Sequence, residues 1–221
     1  MQMSASLLLV AEDALGLAFG RRLVQEHDVL SVWRETNARG FGAIKRDIRK
    51  YDNMAQHGFP VFALTDLDTR ACCRLLVDEW FGKRRGPHQN LLLRICVREV
   101  EAWLMADPGP LANLLRLPET RFPAQPENLA DPKRSLLDLA RCAPARVRKG
   151  LLPAPGSTAI IGPEYNDYLL PLVTTWDIRK AAGRAPSLAK ARQRLGELAG
   201  RVQAPGGLAI KQGGLQSANG G

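Results

Sequence analysis

The first half of the chain alternates short apolar runs with segments of helical periodicity, and this restricts the folds open to it. The apolar runs cover residues 7–11, 28–33, 59–65 and 91–97. The helical patterns that follow the second, third and fourth runs cover residues 44–56, 70–81 and 99–106. Strands that are apolar throughout and separated by helices pair in parallel and are covered on both faces. We therefore predict an α/β fold with a mostly parallel sheet of about four strands flanked by helices.

The second half is rich in proline and predicts an α-helical region packed on that sheet. Eleven of the fifteen prolines lie between residues 108 and 171. We predict short helices at 111–115 and 134–141, separated by proline-rich turns, and longer ones at 165–182 and 187–202. Ser187 is the expected N-cap of the last helix. The predicted divisions are a core at 1–107, a basic helical region at 108–203 and a disordered tail at 204–221.

Acidic side chains stand where two of the apolar runs end. Glu12 follows the first run, and Asp66 and Asp68 follow the third. The ligand site of a parallel α/β sheet lies at the carboxyl ends of its strands. On extended backbone Asp66 and Asp68 would point to the same side, about 7 Å apart at their Cβ atoms. This pattern predicts a Mg²⁺ or Mn²⁺ site, although Asp66 and Asp68 could instead form a capping turn and Glu12 could favour a helix N-terminus.

Two further acids, Glu99 and Glu101, follow the fourth apolar run. At the same edge of the sheet they could hold a second metal ion. They could equally occupy the first turn of a helix, where acidic residues are favoured whatever the function.

The net charge of +9 is unevenly distributed. Residues 1–107 carry 15 basic and 14 acidic side chains, a net charge of +1, whereas residues 108–221 carry 16 and 8, a net charge of +8. A basic surface beside an acidic metal site suits a polyanion, so we expect nucleic acid as a partner, DNA rather than RNA. Each candidate contact could also belong to a solvated basic face; the candidates are Lys45, Arg46, Arg146, Arg148 and Lys149.

Composition limits the location of the protein. Hydrophobic residues make up 45% of the chain, enough for a sizeable core. No apolar run approaches the ~20 residues that span a bilayer, and the N-terminus lacks the basic segment of a signal peptide. The four cysteines form no Cys-x-x-Cys pair. We therefore expect a cytoplasmic protein with no membrane partner, whose cysteines are buried free thiols.

With these segments in place, the first half resembles the Toprim fold, the catalytic domain of topoisomerases, DnaG-type primases and OLD-family nucleases. That family has a glutamate at the end of its first strand and Asp-x-Asp at the end of a later one, which match Glu12 and the pair Asp66 and Asp68. Residues 97–107 (VREVEAWLMAD) and 131–136 (DPKRSL) resemble a narrower group, the small Toprim-like proteins found beside ABC-type ATPases in bacterial anti-phage loci. One departure is Asp13, where many of these proteins have glycine; it could join the metal site or begin the helix.

The resemblance implies a Mg²⁺- or Mn²⁺-dependent nuclease in which Glu12, Asp66 and Asp68 are catalytic. It also implies a catalytic role for Lys133 beside the scissile phosphate, and it points to an ABC-type ATPase partner, for which the loop at 82–87 is a candidate contact. Two alternatives remain open from the sequence. The chain could be a non-catalytic regulatory or binding subunit of an ATPase complex, or a phosphotransferase or hydrolase of small phosphates.

Overall fold

The computed structural model describes residues 4–83 and 85–204, and it contains one sheet of four parallel strands. The spatial order is β2-β1-β3-β4, with every neighbouring pair parallel. The predicted α/β fold with a parallel sheet of about four strands is confirmed. The strands are β1 (Ala5–Ala11), β2 (Leu30–Asn37), β3 (Val61–Asp66) and β4 (Leu91–Cys96).

Helices connect the strands and are the main regular elements of the second half. Those of the first half are α1 (Ala14–Val24), α2 (Phe41–Gln56), α3 (Cys73–Phe81) and α4 (Val100–Ala106). Those of the second half are α5 (Pro108–Leu115), α6 (Pro132–Ala140), α7 (Ala145–Leu151), α8 (Tyr165–Thr175), α9 (Ile178–Ala182) and α10 (Pro186–Gln203). Two short 3₁₀ turns, Glu119–Arg121 and Pro126–Asn128, lie between α5 and α6. The predicted tail lies, except for residue 204, outside the described residues.

Successive residues of the strands face opposite sides of the sheet, and each side has its own core. On β1, Leu7 and Leu9 belong to one buried cluster, whereas Leu8 and Val10 belong to the other. Helices α2 and α3 cover the second side. The first side is covered by α1 and by the helices of the second half. Because both faces are covered, β1, β3 and β4 read as nearly continuous apolar runs, whereas the edge strand β2 is more polar and more exposed.

The C-terminal helices share one continuous core with the sheet. Trp103 of α4 is fully buried, and its indole N–H donates to the Ser187 hydroxyl at 2.8 Å. Trp176, between α8 and α9, donates its indole N–H to the carbonyl of Trp103 at 3.1 Å. Phe19 of α1 contacts both indoles edge-on, with centroid distances of 6.1 and 4.7 Å. These contacts hold the helical region on α1 and α4, within the buried cluster that also contains Leu7 and Leu9 of the sheet.

Two helix predictions in the second half were wrong. The segment predicted as one helix over 165–182 is two helices, because Trp176 is extended and Asp177 begins α9 by accepting bonds from two backbone N–H groups. Helix α7 (Ala145–Leu151) was not predicted. It begins directly after Pro144, in a segment for which the sequence predicts no helix.

Ser187 is not the N-cap that the sequence predicted. Helix α10 begins at Pro186, with Ala185 as its N-cap. The Ser187 hydroxyl instead lies inside the protein, where it donates to Glu127 at 2.6 Å and accepts from Trp103. A tertiary hydrogen bond has taken the place of the local one.

The cysteine prediction was wrong in part. All four cysteines are free, but Cys72 and Cys142 are exposed and Cys73 is half-buried. Only Cys96, on β4, is buried. In the described part of the chain, no helix has the length and apolar character needed to cross a membrane.

Candidate metal centre

Glu12 and Asp66 meet at the carboxyl ends of two neighbouring strands. The chain passes from β1 outward to β2 on one side and later returns to place β3 on the other side. The gap between β1 and β3 is therefore the topological switch point, where α/β sheets bind ligands. Glu12 directly follows β1, and its Oε1 accepts a hydrogen bond from the Asp66 N–H at 2.9 Å and another from the Thr65 hydroxyl. The fold thus fixes the Glu12 carboxylate above the end of β3.

The Asp66 carboxylate lies between this pair and the start of α4. Its Oδ1 accepts a hydrogen bond from the Val100 N–H at 3.1 Å. Among the described residues, its Oδ2 receives no hydrogen bond. Burial raises the pKa of Asp66 well above its usual range, and the nearby charges of Glu101 and Glu12 raise it further. Burial also raises the pKa of Glu12, against the lowering effect of its two hydrogen bonds. Negative charge is therefore concentrated and only partly compensated at this point.

Asp68 does not share the direction of Asp66. Strand β3 ends at Asp66, and Asp68 sits in the following turn with φ of 51°. The extended backbone on which the predicted i, i+2 geometry rested stops two residues too early. The Asp68 carboxylate pairs with the Arg70 guanidinium at 3.1 Å, and the backbone N–H of Asp68 donates to the carbonyl of Arg98 at 2.8 Å. The Asp68 carboxylate therefore already has a cationic partner, which it contacts through its Oδ2 atom.

Asp13 begins the first helix. Its Oδ1 accepts the Gly16 N–H at 2.8 Å, the usual arrangement of an N-cap aspartate. Of the two roles that the sequence left open for this residue, the structure therefore shows helix capping. Its charge nevertheless lies close enough to raise the pKa of Asp66.

Glu99 and Glu101 form an ion-pair cluster with Lys133. The Lys133 ammonium lies 3.7 Å from Glu99 and 3.5 Å from Glu101, and its backbone N–H donates to Glu99 at 2.8 Å. Glu101 is 1% exposed and also accepts the Tyr165 hydroxyl at 2.8 Å. Its second oxygen, Oε2, is buried without a hydrogen-bond partner among the described residues. Lys133 thus pairs with both of the carboxylates that the sequence suggested for a second metal ion and offsets part of their charge.

The electrostatics of this cluster follow from burial and pairing. Burial raises the pKa of Glu101 to about 7, although Lys133 opposes the shift. Burial alone would lower the pKa of Lys133, but the negative charges of Glu101 and Glu99 outweigh this effect and raise the pKa. The ammonium therefore stays charged. Burial and the Glu101 charge raise the pKa of Tyr165, which keeps its hydroxyl as a donor. The Lys133 charge also acts on Asp66 and lowers its pKa, so the cluster and the switch-point carboxylates form one electrostatic unit.

The residues at the switch point fit a hard divalent cation, but they do not form a closed cage. In the part of the chain that the structure describes, no three His, Cys, Asp or Glu side chains converge as a ready-made metal site. Mg²⁺ is usually held by one or two carboxylates together with water and substrate phosphate. Glu12 and Asp66 supply that number of carboxylate ligands at one place. The donor set therefore suits an ion that binds together with a phosphate substrate.

The predicted nucleic-acid contacts fall on two separate surfaces. Lys45 and Arg46 lie on α2, on the side of the sheet away from the helical region, and pair with Glu79 and Asp47. The other three candidates lie on α7, where they are exposed and form no salt bridge with a described residue; they are Arg146, Arg148 and Lys149. The five residues therefore do not make one patch.

Two side chains of the site were not identified from the sequence. Thr65 holds Glu12 through its hydroxyl, and it stands directly before Asp66, at a buried strand position where an apolar residue is expected. That buried polar position was a usable signal. Tyr165 reaches Glu101 from a helix 64 residues further along the chain, and no local pattern marks it.

Comparisons with protein-family models, with curated protein sequences and with solved structures give no match for this chain. The fold and the site by themselves define the class of this protein: an α/β protein with two carboxylates close together at the switch point of a parallel sheet.

Proposed function

We propose that this protein is a Mg²⁺- or Mn²⁺-dependent nuclease of Toprim type. The observation that supports the proposal most is the meeting of Glu12 and Asp66 between β1 and β3. These two carboxylates would hold the ion, and Asp68 would join them after separating from Arg70. When bound, a divalent ion supplies activation of water and stabilisation of the leaving oxygen of a phosphodiester.

The surrounding side chains have roles that follow from their contacts. Thr65 and the Asp66 N–H hold the Glu12 carboxylate in one orientation, which suits a ligand or a group that accepts a proton from water. Lys133 carries a permanent positive charge within reach of Asp66. In the nuclease, that charge would offset the charge that develops on the phosphate in the transition state.

The direct test is a cleavage assay with the purified chain. Labelled single-stranded DNA, double-stranded DNA and RNA would be incubated with Mg²⁺, with Mn²⁺ and with EDTA, and Tm would be measured under the same conditions. We expect weak metal-dependent cleavage or none by the chain alone, cleavage once an ATPase partner is added, and a rise in Tm caused by metal binding to the native state. No cleavage of any substrate with or without the partner, and no metal-dependent rise in Tm, would refute the nuclease.

The α7 surface supports nucleic acid as the substrate, and we expect its binding to depend on salt. Arg146, Arg148 and Lys149 are exposed on one short helix. Contacts with phosphates release counterions, so log affinity for duplex DNA should fall with log salt by about 0.9 per phosphate neutralised. Arg146→Gln with Arg148→Gln should flatten this slope by about 2 units. The matched control is Lys45→Gln with Arg46→Gln on α2. If this variant flattened the salt dependence of log affinity more than the α7 variant does, the result would show that α2, and not α7, is the binding surface.

The resemblance adds an ABC-type ATPase partner, a role in anti-phage defence and a cytoplasmic location to the proposal. The loop at 82–87 is the candidate contact, and of its described residues Gly82, Lys83 and Arg85 are exposed. A nuclease of such a system would be held inactive until triggered, so activity should increase when the ATPase is added. Equal cleavage with and without the ATPase would remove the partner from the proposal and leave the nuclease intact.

A non-catalytic regulatory or binding subunit is the second candidate. This candidate is favoured by the ion pairs that the acidic residues already make within the chain, since Arg70 pairs with Asp68 and Lys133 pairs with Glu99 and Glu101. Such a subunit would bind nucleic acid or the ATPase without cleaving and without metal-induced stabilisation. A hydrolase of small phosphates, the remaining alternative, would cleave mononucleotides in the same assay and leave oligonucleotides intact.

A further inference from the structure

Strand β4 is the outer strand of the sheet, and half of its backbone groups point away from β3. The carbonyl of Asn90 accepts from Val61, and the carbonyl of Cys96 accepts from Leu67, both on the β3 side. Because backbone groups alternate along a strand, the carbonyl of Leu91 and both polar groups of Leu93 point outward. Among the described residues, no second strand pairs with this edge. Leu91 and Leu93 are 3% and 7% exposed, so their outward groups are reached only through the groove beside the strand. Unpaired sheet edges bind extended peptides by adding a strand to the sheet.

The outward edge of β4 forms one wall of a groove, and α10 forms the other. The groove measures about 390 Å³ and lies along the amino-terminal half of β4. It is therefore at the opposite end of the strands from Glu12 and Asp66. The lining residues that matter here are Leu91, Leu93, Arg94, Arg194, Glu197 and Arg201.

Three of these lining residues are arginines, and of the three only Arg194 pairs with a carboxylate among the described residues. Arg201 donates from Nη2 to the carbonyl of Gln89 at 3.2 Å. Glu197, the single carboxylate among the described residues that line the groove, already pairs with Arg194 at 2.7 Å. The Nε atoms of Arg94 and Arg201 are buried and have no hydrogen-bond partner among the described residues. Burial lowers the pKa of the Arg94 guanidinium, and the neighbouring Arg194 lowers it further. A half-buried, unpaired guanidinium is costly unless an anion binds beside it.

We propose that this groove is a docking site for an extended acidic segment of a partner protein, which adds to β4 as a further strand. The peptide backbone would bond to Leu91 and Leu93, and its Asp or Glu side chains would pair with Arg94 and Arg201. A peptide suits the groove better than nucleic acid does, because outward carbonyls need N–H donors that a phosphate backbone lacks. The inference does not depend on the metal site or on the proposed nuclease.

A random-peptide phage library, panned on the full chain with counter-selection on the Arg94→Gln, Arg201→Gln double variant, tests the proposal. We expect enrichment of peptides with acidic residues at alternating positions. An enriched peptide, made synthetically, should bind at least about tenfold more weakly to Arg94→Gln, since a buried charge pair is lost. Its binding should also slow hydrogen exchange of the Leu93 amide, which a contact through side chains alone would leave unchanged.

The matched control is Arg146→Gln, which removes an exposed arginine on α7 and should not change peptide affinity. No enrichment, enrichment of neutral peptides, or equal affinity for the wild type and Arg94→Gln would refute the proposal. Weaker binding to Arg146→Gln would place the contact on α7 and refute it too. If a DNA oligonucleotide slowed hydrogen exchange of the Leu93 amide and no peptide did, nucleic acid would be the occupant and the proposal would be refuted. If the chain formed a dimer that Arg94→Gln abolished, a second copy of the chain would be the occupant instead. Unchanged Tm in Arg94→Gln would exclude misfolding as the cause of its lost binding.

Discussion

Replacing Asp66 by asparagine is expected to lower metal-dependent cleavage about a thousand-fold, which corresponds to about 4 kcal/mol of transition-state stabilisation. The physical reason is the loss of one of the two carboxylates that meet between β1 and β3. The amide oxygen of asparagine can still accept the Val100 N–H that Asp66 now accepts at 3.1 Å, so the local fold should persist. Initial rates with Mg²⁺ and Mn²⁺ would measure the effect.

The stability of the same variant gives an independent measurement. Removing one charge from the group formed with Glu12 and Glu101 relieves repulsion, so Tm without metal should be no lower than in the wild type. The rise in Tm on adding metal should disappear. Asp28→Asn is the matched control, since Asp28 is exposed in the turn before β2, at the amino ends of the strands. Equal metal-induced stabilisation in the wild type and in Asp66→Asn would contradict the assignment of Asp66 as a ligand.

Replacing Lys133 by methionine is expected to lower the free energy of unfolding by about 3–5 kcal/mol at alkaline pH. Glu101 is 1% exposed and Lys133 is 27% exposed, so removal of the ammonium leaves a buried carboxylate without its counter-ion. Chemical denaturation would measure the change. Lys45→Met is the control, because the Lys45–Glu79 pair is about half exposed on both sides and such surface pairs contribute about 1 kcal/mol or less.

The sign of the pH dependence follows from the pKa of Glu101. Burial raises this pKa to about 7, above its ordinary value of 4.5, so the native state holds the proton to higher pH than the unfolded state does. The contribution of this group to stability is therefore lost as pH rises from about 4.5 through 7. Without Lys133 the pKa of Glu101 rises further, and the deficit of Lys133→Met should be small near pH 5 and large near pH 8.

A double variant separates the charge effect from a packing effect. Glu101→Gln added to Lys133→Met removes the buried negative charge and keeps an acceptor for the Tyr165 hydroxyl. It should recover most of the stability lost at pH 8. A deficit that is equal at pH 5 and pH 8, and that Glu101→Gln does not reduce, would show that Lys133 acts through packing and not through its charge.

The sequence by itself determined the layers of the fold. Strands buried on both faces must be apolar along their whole length, so β1, β3 and β4 were recognisable without any knowledge of their partners. The same local reasoning placed Glu12 and Asp66 at strand ends. It also predicted that the helical region packs on the sheet, since its helices carry apolar faces that need a surface to cover.

Only the tertiary structure decided which of these side chains meet. Strand β3 ends at Asp66, so Asp68 turns toward Arg70. Lys133 and Tyr165 reach Glu101 from helices 32 and 64 residues further along the chain. A strand or a helix is set by neighbours within a few residues, and the sequence displays it. A buried charge is paired by whatever residue the packing brings beside it, and no local pattern records that choice.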